Sequence, residues 1–199
     1  RRAGLATIAR QRPGEPLTLG NLCAPDAAPA TDGTGPRGSV IVPAYNSSAT
    51  IGLALESLVR QTWTNIEIIV VDDCSTDGTW DLVRDVAARH DAIRPFRQDQ
   101  NQGAYAARNR GLAQATGEFF TTHDADDWAH PQQIEVQVRR MMGDPNIKAS
   151  RCHWVRVSED LRFLSLWRSE EALINPSWPS FMFGRQARDQ LGVWDRVRA

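Results

Sequence analysis

The sequence predicts an α/β fold with a mostly parallel β-sheet flanked by helices. Three observations support this prediction: short β-branched runs alternate with helical apolar periods, the connections are short, and 41% of the 199 residues are hydrophobic. A strand-helix-strand-helix order is typical of parallel sheets with right-handed crossovers. Ligands of such sheets bind beyond the carboxyl ends of the strands. We therefore expect function in the loops after Ala44, Val71 and Thr122.

Each element follows from a local pattern. β-Branched and aromatic clusters predict strands at Ser39–Ala44, Ile66–Val71, Ile93–Arg97, Glu118–Thr122 and Ile147–Val157. Apolar residues at helical spacing predict amphipathic helices that carry Ile51, Leu55, Leu58 and Val59, then Trp80, Val83 and Ala87, then Ile134, Val138, Met141 and Met142. A further short helix is expected at Arg185–Leu191. We interpret the Met and aromatic positions in these periods as core.

The N-terminal segment, residues 1–38, reads as a linker or irregular approach, because it is rich in Ala, Pro, Gly and Thr without a sustained period. Residues Gly33–Gly38 match the GxGxxG dinucleotide fingerprint letter for letter. That fingerprint requires a preceding strand and a following helix. Here a Pro-rich stretch precedes and a predicted strand follows, so we reject a dinucleotide site.

Composition excludes several classes of protein. The 23 basic and 24 acidic side chains give a net charge of −1, which argues against a nucleic-acid partner bound by bulk charge. Cys23, Cys74 and Cys152 are far apart, so neither a disulfide framework nor a zinc site is indicated. The apolar runs are far shorter than the roughly 20 residues that a transmembrane helix needs. Because the chain opens without Met, we expect it to be part of a longer multidomain chain.

Three loops carry candidate chemistry. The first, Pro43-Ala44-Tyr45-Asn46, offers a flat aromatic ring that could stack on a base or sugar. The alternative is a turn in which Asn46 or Ser48 caps the next helix.

In the second loop, Asp72 and Asp73 end a buried strand, where carboxylates are costly without a partner or ligand. Part of the second loop is also explained as a capped turn into the following helix.

The third loop is the most specific, because Asp124, Asp126 and Asp127 lie within four residues after an apolar strand. Such a cluster of hard oxygens suits Mg²⁺ or Mn²⁺ together with a diphosphate. The alternative is a solvated acidic turn before a helix near Pro131. We reject a calcium-binding EF-hand starting at Asp73, because its twelfth position would be Arg84 instead of Glu.

Four blocks together resemble the family 2 glycosyltransferases of the GT-A fold, a Rossmann-related architecture. They are VIVPAYN, IEIIVVDDCSTDGT, NQGAYAARNRG and GEFFTTHDADDW, at residues 40–46, 66–79, 101–111 and 117–128. Their order, spacing and loop placement agree with the family. The resemblance covers roughly residues 39–195, and we assign residues 39–199 to one GT-A-type domain that is incomplete at its C-terminal end.

The resemblance implies roles for the matching positions. Pro43, Ala44, Tyr45, Asn46, Asp72 and Asp73 would hold the nucleoside of a donor, expected to be a UDP-sugar, with Asp73 accepting a hydrogen bond from a uracil-type N–H. Asp124-Ala125-Asp126 resembles the DXD motif, in which Asp126 would bind Mn²⁺ or Mg²⁺ and Asp124 the metal or ribose. Asp127 would support them. Arg108 would either face the donor phosphates or pair on its helix surface.

The resemblance also implies an inverting transfer to a saccharide acceptor, assisted by a general base in a later acidic motif. Residues 181–195 resemble the lead-in to that motif, so we expect the base beyond Ala199 and leave the catalytic residue unassigned. Glu170 and Glu171 are candidates only because they are acidic, and Asp195 belongs to the lead-in turn. The family implies a cytoplasmic location, with peripheral association at the inner membrane face as an option.

Alternative functions remain at this stage. A nucleotidyltransferase predicts a Gly-rich phosphate loop after the first strand, which Pro43–Ser48 lacks. A non-catalytic module that binds a sugar nucleotide or glycan would differ from the enzyme only in turnover. Four tryptophans in the C-terminal third could stack on an acceptor sugar, although we expect core packing for most of them: Trp154, Trp167, Trp178 and Trp194.

Overall fold

The structure, a computed structural model, describes residues 4–30, 33–164 and 174–194. The strands of these ranges are β1 (Ala9–Arg10), β2 (Leu22–Cys23), β3 (Gly38–Ala44), β4 (Ile66–Asp72), β5 (Ile93–Arg97), β6 (Phe119–Thr122), β7 (Ala149–Ser150), β8 (His153–Trp154), β9 (Asn175–Pro176) and β10 (Met182–Gly184). The helices are α1 (Ile51–Val59), α2 (Thr79–Ala87), α3 (Ala104–Gln114), α4 (Gln133–Gly143) and α5 (Arg185–Leu191). The predicted α/β class is confirmed.

A six-stranded sheet in the order β5-β4-β3-β6-β10-β7 organises the molecule. The first four strands run parallel, and β10 runs antiparallel to both of its neighbours. Because β3 lies between β4 and β6, the loops that follow these three strands emerge at one edge of the sheet. This topology brings the three candidate loops together, as the sequence predicts.

The two faces of the sheet carry separate apolar cores. Side chains of a strand alternate between faces, so Val40 and Val42 of β3 pack with α1, α2 and α4, whereas Ile41 faces the opposite side. On that opposite side, α3 packs closely against β3. A Cβ added to Gly111 of α3 would lie 2.4 Å from Cγ2 of Ile41, which leaves no room for a larger residue.

A buried carboxylate connects the strands at the edge of the sheet where β3, β4 and β5 begin, opposite the three loops. Glu67 of β4 accepts hydrogen bonds from Ser39 Oγ at 2.7 Å, from Thr116 N at 2.6 Å and from Arg94 Nη1 at 2.5 Å. Burial by itself raises the pKa of Glu67, but these hydrogen bonds, led by that from Thr116, outweigh burial and lower the pKa to about 2. Glu67 therefore joins three strands and the end of α3 as an ionised group.

Three features differ from the sequence prediction. The strand expected at Ile147–Val157 breaks after Ser150, because Cys152 N donates to Ser180 Oγ at 2.9 Å and turns the chain out of the main sheet. Strand β8 then pairs with β9 instead. Met142 is 55% exposed although it was expected in the core. Trp178 is 72% exposed, so core packing is wrong for this tryptophan.

The N-terminal segment contains short regular pieces. Strands β1 and β2 pair antiparallel, and a 3-10 helix spans Leu19–Asn21. The segment also contacts the domain, since Ala30 N donates to Thr62 O at 2.8 Å and Trp63 Nε1 donates to Pro36 O at 3.1 Å. Gly38 begins β3, so no helix follows the GxGxxG match. Among the described residues, no helix is long and apolar enough to cross a membrane.

Candidate functional site

The loops after β3 and β4 are joined by hydrogen bonds. Asn46 adopts a left-handed backbone conformation with φ of 47°, and its Oδ1 accepts from Thr76 N at 2.9 Å. Its own N–H donates to Ser75 Oγ at 2.9 Å, and Ser47 N donates to Thr79 Oγ1 at 2.7 Å. Neither Asn46 nor Ser48 caps α1, because its N-cap residue is Thr50 and no side chain makes a capping hydrogen bond there, so this alternative is wrong. Asn46 instead fixes the first loop against the second.

Asp73 lies between these loops and the start of α3. It is buried, and its carboxylate accepts from Gln98 Nε2 at 2.5 Å, Gln102 N at 2.9 Å and Gly103 N at 2.7 Å. A carboxylate offers about four acceptor positions. Three donors from the chain thus orient Asp73 and leave capacity for one more, which is the number that a single ligand N–H requires.

Asp72 is fully buried beside it. Its Oδ2 lies 3.1 Å from Arg97 Nε and accepts from Ser75 N at 3.2 Å. Its Oδ1 is buried and has no hydrogen-bond partner among the described residues. An orphan acceptor on a buried carboxylate costs free energy. The sequence did not indicate a role for Arg97. Arg97 is the last residue of β5, however, so it lies at the same edge of the sheet as the three loops.

Tyr45 stands at the edge of these loops and is 48% exposed. Pro43 is half-buried, and Ala44 is buried with its carbonyl accepting from Asp73 N at 2.8 Å. The chain therefore holds the backbone at Ala44 rigidly while the ring of Tyr45 faces solvent. An exposed ring on a fixed backbone can stack on a planar base or a sugar.

The acidic loop begins where β6 ends. Asp124 Oδ1 pairs with Arg108 Nη2 of α3 at 2.9 Å, and both side chains are partly buried. Arg108 is thus directed at the acidic loop, and its ion pair is not one between neighbouring turns of α3. Ala125 is buried and Asp126 is exposed. The second carboxylate of the loop is therefore open to a ligand from solvent.

Negative charge is concentrated in this loop. Burial first, then the charges of Asp124 and Asp126, raises the pKa of Asp127 to about 6, while Arg156 opposes the shift. Burial likewise lowers the pKa of His123, whose Nε2 lies 3.1 Å from the carbonyl oxygen of Asp127. His123 is therefore held inside the loop, and nothing in its surroundings makes it a ligand.

The residues fit a divalent cation that is held jointly with a substrate. Within the described ranges, no group of three or more His, Cys, Asp or Glu side chains could enclose a metal ion alone. Mg²⁺ and Mn²⁺ sites commonly use one or two carboxylates together with substrate phosphates. Asp126 and the second oxygen of Asp124 could supply that donor set.

Other predicted residues fall elsewhere. Glu170, Glu171, Asp195 and Trp167 lie outside the described residues. Asp77, which the sequence placed in a capped turn, accepts from Thr79 N at 3.0 Å near the start of α2, and hydrogen bonds led by Thr79 Oγ1 lower its pKa.

The sequence did not predict the partners of Asp73. Gln98 and Gln102 belong to no recognisable motif and lie some 25 positions away, so only the fold brings them near Asp73.

Comparison with known proteins identifies the family. The Glycosyl transferase family 2 profile matches residues 39–196. The uncharacterized glycosyltransferase YibD of Escherichia coli is 36% identical over 115 residues, which cover 58% of this chain and 33% of YibD. The matched part thus spans about a third of that relative's length.

Two solved structures show the same fold. The mannosyltransferase PcManGT from Pyrobaculum calidifontis, in complex with GDP-Man and Mn²⁺, superposes with a TM-score of 0.66 at 28% identity over 86% of this chain and 51% of that one. Residues 1–349 of S. aureus TarS, in complex with UDP-GlcNAc, superpose with a TM-score of 0.59 at 25% identity over 78% and 47%. With a profile that matches most of its length, the chain belongs to the family 2 glycosyltransferases.

Proposed function

We propose that this chain carries the donor site of an enzyme that transfers a sugar from a UDP-sugar to a saccharide acceptor, with inversion and with Mn²⁺ or Mg²⁺. The observation that carries the proposal is the meeting of three strand-end loops at one edge of the sheet, with Asp73 on one side and the Asp124–Asp126 loop on the other. These loops supply a nucleoside pocket and a diphosphate site side by side.

The nucleoside half rests on Asp73 and Tyr45. The remaining acceptor position of Asp73 would take the N3–H of uracil, a donor that cytosine lacks. Tyr45 would stack on the base or ribose. Pro43, Ala44 and Asn46 form the wall that holds this ring, and Asp72 supports the loop through Ser75 N at 3.2 Å.

The diphosphate half rests on Asp124 and Asp126, which would hold the cation. A bound Mn²⁺ or Mg²⁺ supplies Lewis acidity that neutralises the leaving diphosphate. Arg108 lies 2.9 Å from Asp124, so its guanidinium orients that carboxylate and adds positive charge beside the phosphates. Because Asp126 has greater exposure than Asp124, it would provide the open coordination position.

The proposed reaction is a single displacement at the anomeric carbon. The acceptor hydroxyl oxygen forms a bond to that carbon as the bond to the β-phosphate oxygen breaks. The electron pair of the broken bond leaves with UDP, and the hydroxyl proton passes to a general base. The role of this chain in that step is to hold and orient the donor.

The solved relatives support the donor class. PcManGT was solved with GDP-Man and Mn²⁺, and TarS with UDP-GlcNAc. Both complexes contain a nucleoside diphosphate sugar, and one contains a divalent cation. The choice of uridine over guanosine for this chain rests on the resemblance described above.

Release of nucleotide from a panel of UDP-, GDP- and dTDP-sugars, with mixed oligosaccharide acceptors and Mn²⁺, tests the proposal. It should be run on this chain and on the native sequence continued past Ala199. We expect release from a UDP-sugar, and activity in the longer chain alone would support a base beyond Ala199. Metal-dependent donor binding without turnover in either chain would favour the non-catalytic alternative.

A further inference from the structure

An aromatic and basic surface lies beside the acidic loop, and the topology explains its position. Strand β10 is antiparallel to β6 and β7, so the chain enters β10 at the edge where β6 and β7 end. Trp178 precedes β10, and Arg151 follows β7 directly. Thr122 Oγ1 at the end of β6 donates to Pro179 O at 2.7 Å, which fixes the Trp178 turn next to the loop that carries Asp124.

The turn that presents Trp178 is held firmly. Ser180 N donates to Ser177 Oγ at 3.2 Å, and Gln137 Nε2 donates to Ser180 O at 2.7 Å. Trp178 is nevertheless 72% exposed. Nearby, Trp154 Nε1 donates to Pro176 O at 3.1 Å, so its ring is also anchored. Large aromatic side chains displayed on rigid backbone are typical of recognition surfaces.

Each ring is paired with an arginine. Arg151 lies over Trp178 with 5.1 Å from its guanidinium carbon to the ring centroid, and Arg156 lies over Trp154 at 5.4 Å. Both arginines are exposed, and neither forms an ion pair with a carboxylate within the described ranges. The surface therefore offers two oriented guanidinium groups with no carboxylate at ion-pair distance in the described part of the chain, although the charge of Arg156 also acts on Asp127.

This combination has a definite chemical complement. The C–H face of a pyranose stacks on an indole ring, and a guanidinium binds a carboxylate or phosphate through two parallel hydrogen bonds. A neutral sugar would use the rings alone and would bring no counter-charge to either guanidinium group. Charge complementarity therefore favours an anionic sugar over a neutral one.

We propose that Arg151, Trp154, Arg156 and Trp178 form the acceptor site and select a saccharide that carries a carboxylate or a phosphate. This assignment rests on the proposed function, since it places the acceptor next to the donor loop. It goes beyond that function by naming the charge of the acceptor and the residues that bind it.

Calorimetric titration of the purified chain tests the charge class. The probes are oligogalacturonate, its fully methyl-esterified form and a glycerol phosphate oligomer, all in EDTA so that no metal bridges an acidic probe to Asp126. We expect at least one anionic probe to bind about tenfold more tightly than the neutral ester, as one charge-assisted contact provides. The preferred anion distinguishes carboxylate from phosphate as the source of the charge.

Four variants test the residues. Arg151→Gln and Arg156→Gln should each reduce binding of the preferred anion about tenfold while leaving the ester unchanged. Trp178→Ala should weaken acid and ester alike. Arg162→Gln is the matched control, because Arg162 lies nearby, is 83% exposed and already pairs with Asp160 at 2.7 Å. It should leave all probes unaffected.

Several results would overturn the proposal. They are equal binding of acid and ester, no binding of either anion, or a loss in Arg162→Gln as large as in Arg151→Gln. A large fall in melting temperature for Trp178→Ala would show that the ring packs within the fold and is not free to stack on a sugar. Titration with UDP and Mn²⁺ separates the two claims: if UDP binds but no anion is preferred, only the acceptor assignment fails, and if UDP does not bind, the donor site itself fails.

Discussion

At the scale of single residues, Asp73 shows how a carboxylate can be both buried and ready for a ligand. Three donors from the chain fix its orientation and remove most of the cost of burying its charge. A fourth donor from a ligand would then meet an acceptor that needs no reorganisation. Recognition of a uracil base would therefore depend on one donor of the ligand, its N3–H.

That assignment predicts discrimination between two nucleotides that differ in this atom alone. UDP methylated at N3 should bind at least about tenfold more weakly than UDP, because it lacks the donor and places a methyl group against Asp73. Calorimetry of both ligands in Mn²⁺ measures the difference. Equal affinities would remove Asp73 from base recognition.

The exposed carboxylate of Asp126 gives a second prediction at this scale. Asp126→Ala should lower UDP affinity in Mn²⁺ to the value that the unaltered chain shows in chelator, because a coordination position is lost. Its melting temperature should change little, since the side chain is exposed and packs against nothing essential. Asp91→Ala, at an exposed position before β5, is the control and should keep full metal dependence. Global unfolding of Asp126→Ala would contradict this view of the loop.

At the scale of elements, the approach of α3 to β3 positions both Asp73 and Arg108. Gly111→Ala should destabilise the fold by about 1–3 kcal/mol, because its Cβ would lie 2.4 Å from Ile41 within a packed core. Gly52→Ala in α1 meets nothing within 4 Å and should stabilise it by about 0.5–1 kcal/mol. Urea denaturation of both variants measures the contrast. If Gly111→Ala left the free energy of unfolding unchanged, α3 would not pack so closely against β3.

Elements also show where sequence reasoning succeeds and where it ends. Strands β3, β4 and β6 and the helices at Ile51, Thr79 and Gln133 follow from apolar periods that each segment carries by itself. The break after Ser150 depends on Ser180, which lies 28 residues from Cys152. The pairing of Arg108 with Asp124 likewise spans 16 residues and two elements. Contacts of this kind are decided by tertiary structure, so local patterns do not reveal them.

At the scale of the whole molecule, Glu67 couples stability to pH. The folded pKa of about 2 is lower than the ordinary value of 4.5, so its contribution is complete above pH 4.5 and is lost as pH falls toward 2. The size of this contribution is about 3 kcal/mol. Glu67→Gln should therefore destabilise the chain at pH 7 by about 3 kcal/mol or more and flatten its acid unfolding profile.

A matched surface variant separates this effect from general charge loss. Glu56→Gln removes a carboxylate that is 50% exposed and pairs with Arg60 at 2.8 Å. Exposed pairs of this kind contribute about 0–1 kcal/mol, so its unfolding profile should follow that of the unaltered chain. Thermal denaturation between pH 2 and pH 7 tests both variants. An unchanged acid profile in Glu67→Gln would show that Glu67 is not the group that titrates.

At the scale of the whole molecule, the two ends of the parallel strands differ in their side chains. Glu67 and the apolar faces stabilise the strands, while the opposite edge of the sheet carries the candidate binding carboxylates Asp72, Asp73, Asp124 and Asp126. That edge contains an orphan oxygen on Asp72, an exposed Asp126 and an exposed Tyr45. We propose that these groups bind a nucleoside diphosphate through a shared cation.

Calorimetric titration of the purified chain with UDP tests that claim most directly, because UDP is the part common to all UDP-sugars. One titration contains Mn²⁺ and the other contains EDTA. We expect binding in Mn²⁺ that is at least about tenfold tighter than in EDTA. Equal affinity in the two titrations, or no binding in either, would contradict it.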